Sequence, residues 1–294
     1  MQSSKNKVNN KWNRLLLCIP AIVSLLLIYI LFNDKETFQK EEYQEKETWE
    51  ILFPITTADS TISTEDAEHI NLNDVSDQVV IDHGGTYLLE GTLDGRIIVQ
   101  AEEQIVHLIL NGVSIYSKSG PAIAILSAGK VILTLPDDKE NTLRDSADYD
   151  TLTEENSCIY SECDLTINGS GTLNVHGYYK DAIHSKDTLK ILGGHLNILA
   201  KREAIRGNDG ILLKNSDIHI ECEKNWLYTK TNCRKTLGCI QISGGALSIV
   251  AGEYAIAAVS DLYINDSEVY LKGIISDFDI AGNSYIQKGC LQDE

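Results

Sequence analysis

From residue 164 onward, apolar and polar residues alternate in short bursts that restart after a turn residue. Five units align: DLTINGSGTLNV (164–175), TLKILGGHLNIL (188–199), ILLKNSDIHIE (211–221), CIQISGGALSIV (239–250) and DLYINDSEVYLK (261–272). Strict period-2 alternation predicts strands with one buried side. Each unit opens on an apolar pair: Leu165 and Ile167, Leu189 and Ile191, Ile211 and Leu213, Ile240 and Ile242, Leu262 and Ile264. A residue tolerant of positive φ follows in each, namely Gly169, Gly193, Asn215, Gly244 and Asp266, as a sharp corner requires. A second pair comes next: Leu173 and Val175, Leu196 and Ile198, Ile218 and Ile220, Leu247 and Ile249, Val269 and Leu271. A third short element carries Ile183, Ile205, Leu227, Ile256 and Ile280.

Successive units begin 24, 22, 29 and 22 residues apart. Three strands and their corners in so short a period fit one coil of a parallel β-helix, each coil burying its apolar side against the next. An antiparallel sandwich also alternates but has no reason to keep its corners in phase, and the LxxLxLxxN signature of a leucine-rich repeat is missing. Less regular coils run through 87–99, 106–126 and 130–135, for about eight coils in all over 61–290. Leu189 is expected to stack inward between Leu165 and Ile211, with Lys190 facing solvent.

Upstream the pattern changes. LLLCIPAIVSLLLIYILF (15–32) is an uninterrupted apolar run, preceded by Lys5, Lys7, Lys11 and Arg14 without an acidic residue. At about 1.5 Å per residue it nearly crosses a ~30 Å hydrocarbon core, and its cationic flank belongs on the cytoplasmic side. A cleavable signal peptide would have a shorter apolar region ending in a small-x-small site, which Asn33, Asp34 and Lys35 do not supply. The expected organisation is a cytoplasmic basic tail (1–14), a single-pass anchor in the cell membrane (15–32), a charged, solvated stalk (33–60) and an extracellular β-helix (61–290).

The whole chain carries −18 and its first 32 residues +4, leaving −22 on the remainder. So acidic a surface repels nucleic acid and suits divalent cations or cationic partners, or solubility alone. Six cysteines lie beyond the apolar run; Cys158 with Cys163 and Cys233 with Cys239 are the locally plausible pairs, and neither has the spacing of a zinc site.

The stretches LILNGVSIYSKSGPAI, KVILTLPDDKENTLRDSADYD, CDLTINGSGTLNVHGYYKDAIHSKD and CIQISGGALSIVAGEYAIAAVSDLYI resemble an extracellular clostridial-type carbohydrate-binding β-helix family over about 85–273. That resemblance implies a single right-handed parallel β-helix, binding of plant-type or acidic polysaccharide, calcium held by acidic side chains and no established catalysis. The family's Asp-Gly-Ile third corner is altered here to Asp181-Ala182-Ile183, Glu203-Ala204-Ile205, Asn225-Trp226-Leu227 and Tyr254-Ala255-Ile256, so one of these corners keeps the aspartate and none keeps the glycine.

By spacing alone, Asp181, Glu203 and Asn225 stack on successive coils and offer oxygens to a hard cation such as Ca2+, or they form ion pairs with Lys180 and Arg202. Asp145, Asp148 and Asp150 are a second candidate cation loop, with an ordinary solvated loop as the alternative. Tyr178, Tyr179, Trp226 and Tyr254 flank the third corner as candidate sugar-stacking residues, alongside a packing role. The histidines do not recur in phase; His184 aligns with Arg206 and His195 with Asp217. A membrane-anchored carbohydrate-binding protein is therefore expected. The alternatives are a β-helical polysaccharide lyase or hydrolase, with Lys186, Lys201 or Arg206 as the base, and a non-binding surface spacer.

Overall fold

A computed structural model describes residues 51–149, 154–223, 227–231, 237–250, 254–272 and 276–292. Within them the chain coils through three faces of stacked strands, and every strand pairing is parallel. The first face pairs Leu165 with Leu189, Leu189 with Ile211, Ile211 with Ile240 and Ile240 with Leu262. The second links Leu173, Leu196, Ile218, Leu247 and Val269. The third links Ile183, Ile205, Leu227 and Ile256. These are the ladders that the repeat spacing predicts. At the last coil the partner of Ile256 is Phe278, and Ile280 pairs two residues further on with Ala258.

The corners explain the register. Gly169, Gly193, Asn215, Gly244 and Asp266 all have left-handed φ, of 98°, 134°, 51°, 78° and 52°. Turning the chain at the same phase in every coil brings like positions above one another, so the apolar pairs form one continuous core. The coils extend further toward the N-terminus than the repeats alone reveal: Glu68–Asn71 already pairs with Gly85–Leu93, and Gln78–Ile81 with Arg96–Tyr116. The stack thus exceeds the expected eight coils by about one.

One segment departs from expectation. Residues 51–60 are not a solvated stalk but a strap lying lengthwise across the outer side of the first face. The Leu52 amide donates to Gln241 Oε1 at 2.8 Å, and Lys190 Nζ donates to the Pro54 carbonyl at 2.6 Å. Phe53 packs with Leu212, Cys239 and Tyr263. Gly210 is glycine because a Cβ there would meet the Phe53 ring. Asp59 follows in the short helix Thr57–Ser60, which is closed by a reciprocal Thr56–Asp59 capping box. Its fully buried carboxylate receives Lys130 Nζ at 2.9 Å, Lys190 Nζ at 3.2 Å and Thr166 Oγ1 at 2.6 Å. Lys190 is therefore buried beneath the strap rather than facing solvent.

Among the described residues no helix is long and apolar enough to cross a membrane; the apolar run at 15–32 lies outside them. Cys158 and Cys163, a plausible disulfide by sequence, are both free buried thiols. Cys239 is also free, and Cys233 lies outside the described residues.

Candidate functional site

The third corner gathers charged groups, but it gathers them inside. Asp181 is fully buried, and Arg202 grips it with two bonds, Nε to Oδ1 at 2.7 Å and an Nη to Oδ2 at 2.8 Å. Arg202 also contacts the Glu203 carboxylate. Burial opposes ionisation of Asp181, but the Arg202 bonds outweigh it and hold its carboxyl below the usual range. Burial, reinforced by the neighbouring Asp181, pushes Glu203 up to about 8. Asp181 thus keeps the charge and Glu203 the proton. Asp181 is thus ion-paired with Arg202, and Arg206 Nη1 stands 4.0 Å from its Oδ2, whereas Lys180 stands 4.4 Å over the Tyr179 ring. Asn225 and Trp226 lie outside the described residues.

The acidic loop and this corner, far apart in sequence, meet on adjacent coils. Asp145 is buried, accepting from Tyr149 Oη at 2.7 Å and from the Tyr178 amide at 2.5 Å, and burial pushes its carboxyl up to about 6. Tyr149 stacks on Tyr179 with ring centroids 4.1 Å apart. These oxygens and rings are spent on packing. Asp148 is exposed, its carbonyl accepting from Ser146 Oγ, and Asp150 lies outside the described residues. Among the described residues no three His, Cys, Asp or Glu side chains are placed to share a metal ion.

What a polymer can touch follows from which face is open. On the first face the outward column Ile132, Thr166, Lys190, Leu212, Gln241 and Tyr263 is buried. On the third face Ala124, Tyr160, His184 and Ala257 are buried, with Arg206 and Tyr228 half-buried between them. His184 lies between Asn156 Oδ1 at 2.7 Å and Asn208 Oδ1 at 3.4 Å, and burial lowers its imidazole to about 4.

The second face is the open one. Its central outward column runs Thr142, Asn174, Asn197, His219, Ser248 and Tyr270, all exposed or half-exposed. Asn197 Nδ2 donates to Asn174 Oδ1 at 2.9 Å, and Asn174 Nδ2 to Glu140 Oε1 at 2.8 Å, so a row of amides steps from coil to coil. A flanking column carries Tyr116, Arg144, His176, Leu199, Glu221, Val250 and Lys272. At its margin Tyr178 is 41% exposed, its ring edge-on to His176 at 5.9 Å, while Tyr270 is 40% exposed. Of the aromatic candidates, Tyr178 alone among the described ones reaches this surface; Tyr254 is half-buried at the start of a third-face strand.

The central column was not singled out by sequence, yet a signal existed. The positions between the second apolar pairs are polar or tyrosine in every unit, whereas those between the first pairs include Leu212 and those of an earlier coil Ile132. Apolar residues on the outward side of a strand announce a covered face.

The chain belongs to a family of carbohydrate-binding domain-containing proteins, whose model matches residues 75–281. A protein described as a carbohydrate-binding domain-containing protein from Acetivibrio thermocellus is 32% identical over 220 residues, covering 73% of this chain and 77% of that relative. A solved structure, a gadolinium derivative of the polysaccharide lyase-like protein from C. thermocellum, superposes with a TM-score of 0.72 at 32% identity, over 73% of this chain and 89% of that one.

Proposed function

We propose that this protein binds a hydroxyl-rich, plant-type polysaccharide along the open second face, without cleaving it. The observation that carries the reading is the contrast between faces: only here, among the described residues, does an outward column stay exposed or half-exposed through six consecutive coils, from Thr142 to Tyr270. Amide, hydroxyl and imidazole groups repeating at about 4.8 Å per coil suit the hydroxyls of an extended sugar chain, and Tyr270 and Tyr178 offer ring faces for stacking. The same face bears Glu140, Asp217, Glu221 and Glu268, which disfavours a bare polyanion. A neutral polymer is therefore favoured here, and calcium is not needed to hold it. Glu203, Asp145 and His184, each with a strongly shifted proton affinity, are buried with their polar atoms engaged within the protein, which supports binding rather than catalysis.

With the apolar run 15–32 as a membrane anchor and its cationic flank inside, the face is presented outside the cell. Retention of the protein on soluble neutral glucans, followed by affinity electrophoresis in chelator, tests the binding reading. Tyr270→Ala and Asn197→Ala are each expected to weaken binding several-fold, as loss of about 1 kcal/mol implies. Unchanged binding in both variants, abolition by chelator, or release of unsaturated uronate from polygalacturonate would count against it.

A further inference from the structure

The strap is bound as a ligand is bound. Its backbone, bent at Leu52 and Phe53 and helical at Thr57–Ser60, crosses the coils instead of joining a ladder, and it is held largely by side chains of the first face. Lys190 donates to the Pro54 carbonyl, and Asn168 Nδ2 donates to the Asp59 carbonyl at 2.9 Å and the Thr61 carbonyl at 3.2 Å. Phe53 lies in the apolar stretch made by Leu212, Cys239 and Tyr263. Donors from three successive coils converge on one strap carboxylate: Lys130, Thr166 and Lys190 on Asp59. Lys190 is the only lysine or arginine among the buried charged side chains of the described residues, in a region whose net charge is strongly negative. A positive, donor-rich trench beneath an acceptor-rich chain with one carboxylate is a recognition arrangement, not merely a packed one.

We propose that the outer side of the first face is a second polysaccharide site, specific for a carboxylated (uronate) polymer, and that residues 51–61 occupy it in cis, with Asp59 standing where a uronate carboxylate would bind. The sugar-ring oxygens and hydroxyls would replace the strap carbonyls at Lys190 and Asn168, and a sugar's apolar side would replace Phe53 over Leu212. The site resolves a conflict of charge: an acidic protein can hold a polyanion without bridging metal only where local lysines outweigh the long-range repulsion. It is independent of the second face, so either reading can fail alone.

The test uses the full chain with a protease recognition sequence placed at 62–65, where all four side chains are exposed. Polygalacturonate binding is measured in chelator before and after cutting. Cutting is expected to raise affinity at least tenfold. Excess synthetic 51–61 peptide should reverse the gain, Lys130→Met with Lys190→Met should abolish it, and neutral-glucan binding should not change. A cut protein that keeps its circular dichroism yet binds polygalacturonate no better than the uncut one overturns the proposal. Should the cut chain unfold, intact Asp59→Asn decides: it loosens the strap without severing it, so increased affinity supports the site and unchanged affinity overturns it.

Discussion

Leu189 and Lys190 sit on opposite sides of one strand, and both are buried: Leu189 by the neighbouring coils, Lys190 by the strap. Leu189→Asp places an unpaired carboxylate in the core column and should cost several kcal/mol. Lys190→Asp is not benign either, because it sets a second acid beside buried Asp59; a loss of roughly 3 kcal/mol or more is expected, with Lys190→Met milder. Thermal melts check this, and a wild-type melting temperature for Lys190→Asp would show that the strap is not docked. The inward side of this strand was legible because alternation fixes side. The fate of the outward side was not, because alternation is silent on what covers it. Glu203 gives a residue-scale pH effect. Its carboxyl titrates near 8 when folded and near ~4.3 when unfolded, so between those values the native state holds a proton the unfolded chain has released, and rising pH favours unfolding. Glu203→Gln should therefore gain in melting temperature relative to wild type from pH 4 to pH 8.5; a constant gap would refute the protonated assignment.

Among elements, the corners govern register. Gly193 turns at φ 134°, and a Cβ there would lie 2.6 Å from the Gly169 carbonyl oxygen of the preceding coil. Gly193→Val should cost more than about 2 kcal/mol, since both the conformation and the space exclude it. Asp266→Gly, at φ 52°, relieves mild strain at an entropic cost and should stay within about 1 kcal/mol of wild type. Chemical denaturation of the pair separates them, and similar midpoints would deny the corner its role. These turns are why the coil period was readable from one sequence: the same conformational demand selects Gly, Asn or Asp at the same phase. The meeting of the acidic loop with the third corner was not readable. It depends on Asp145 and Gly177 falling at one level of neighbouring coils, and on Arg202 reaching back to Asp181, neither of which a linear pattern encodes.

For the whole molecule, the proposed surface display has a direct check: a C-terminal tag should be cleaved by protease added to intact cells, and its protection would reverse the orientation. The carbohydrate-binding class was legible through stretches spread over most of the chain. The burial of the third-corner carboxylates was not legible, because sequence ranks residues by chemistry, and carboxylates look available until their partners are seen. The strap carries a further consequence, in the order of synthesis. Leu52 is translated 189 residues before Gln241, to which it bonds. At about 5–20 residues per second its docking site emerges roughly 10–40 s after it does. Through that interval Leu52, Phe53 and Ile55 have no surface to cover, so the nascent chain carries an apolar segment that chaperones can grasp until the last coils arrive to receive it.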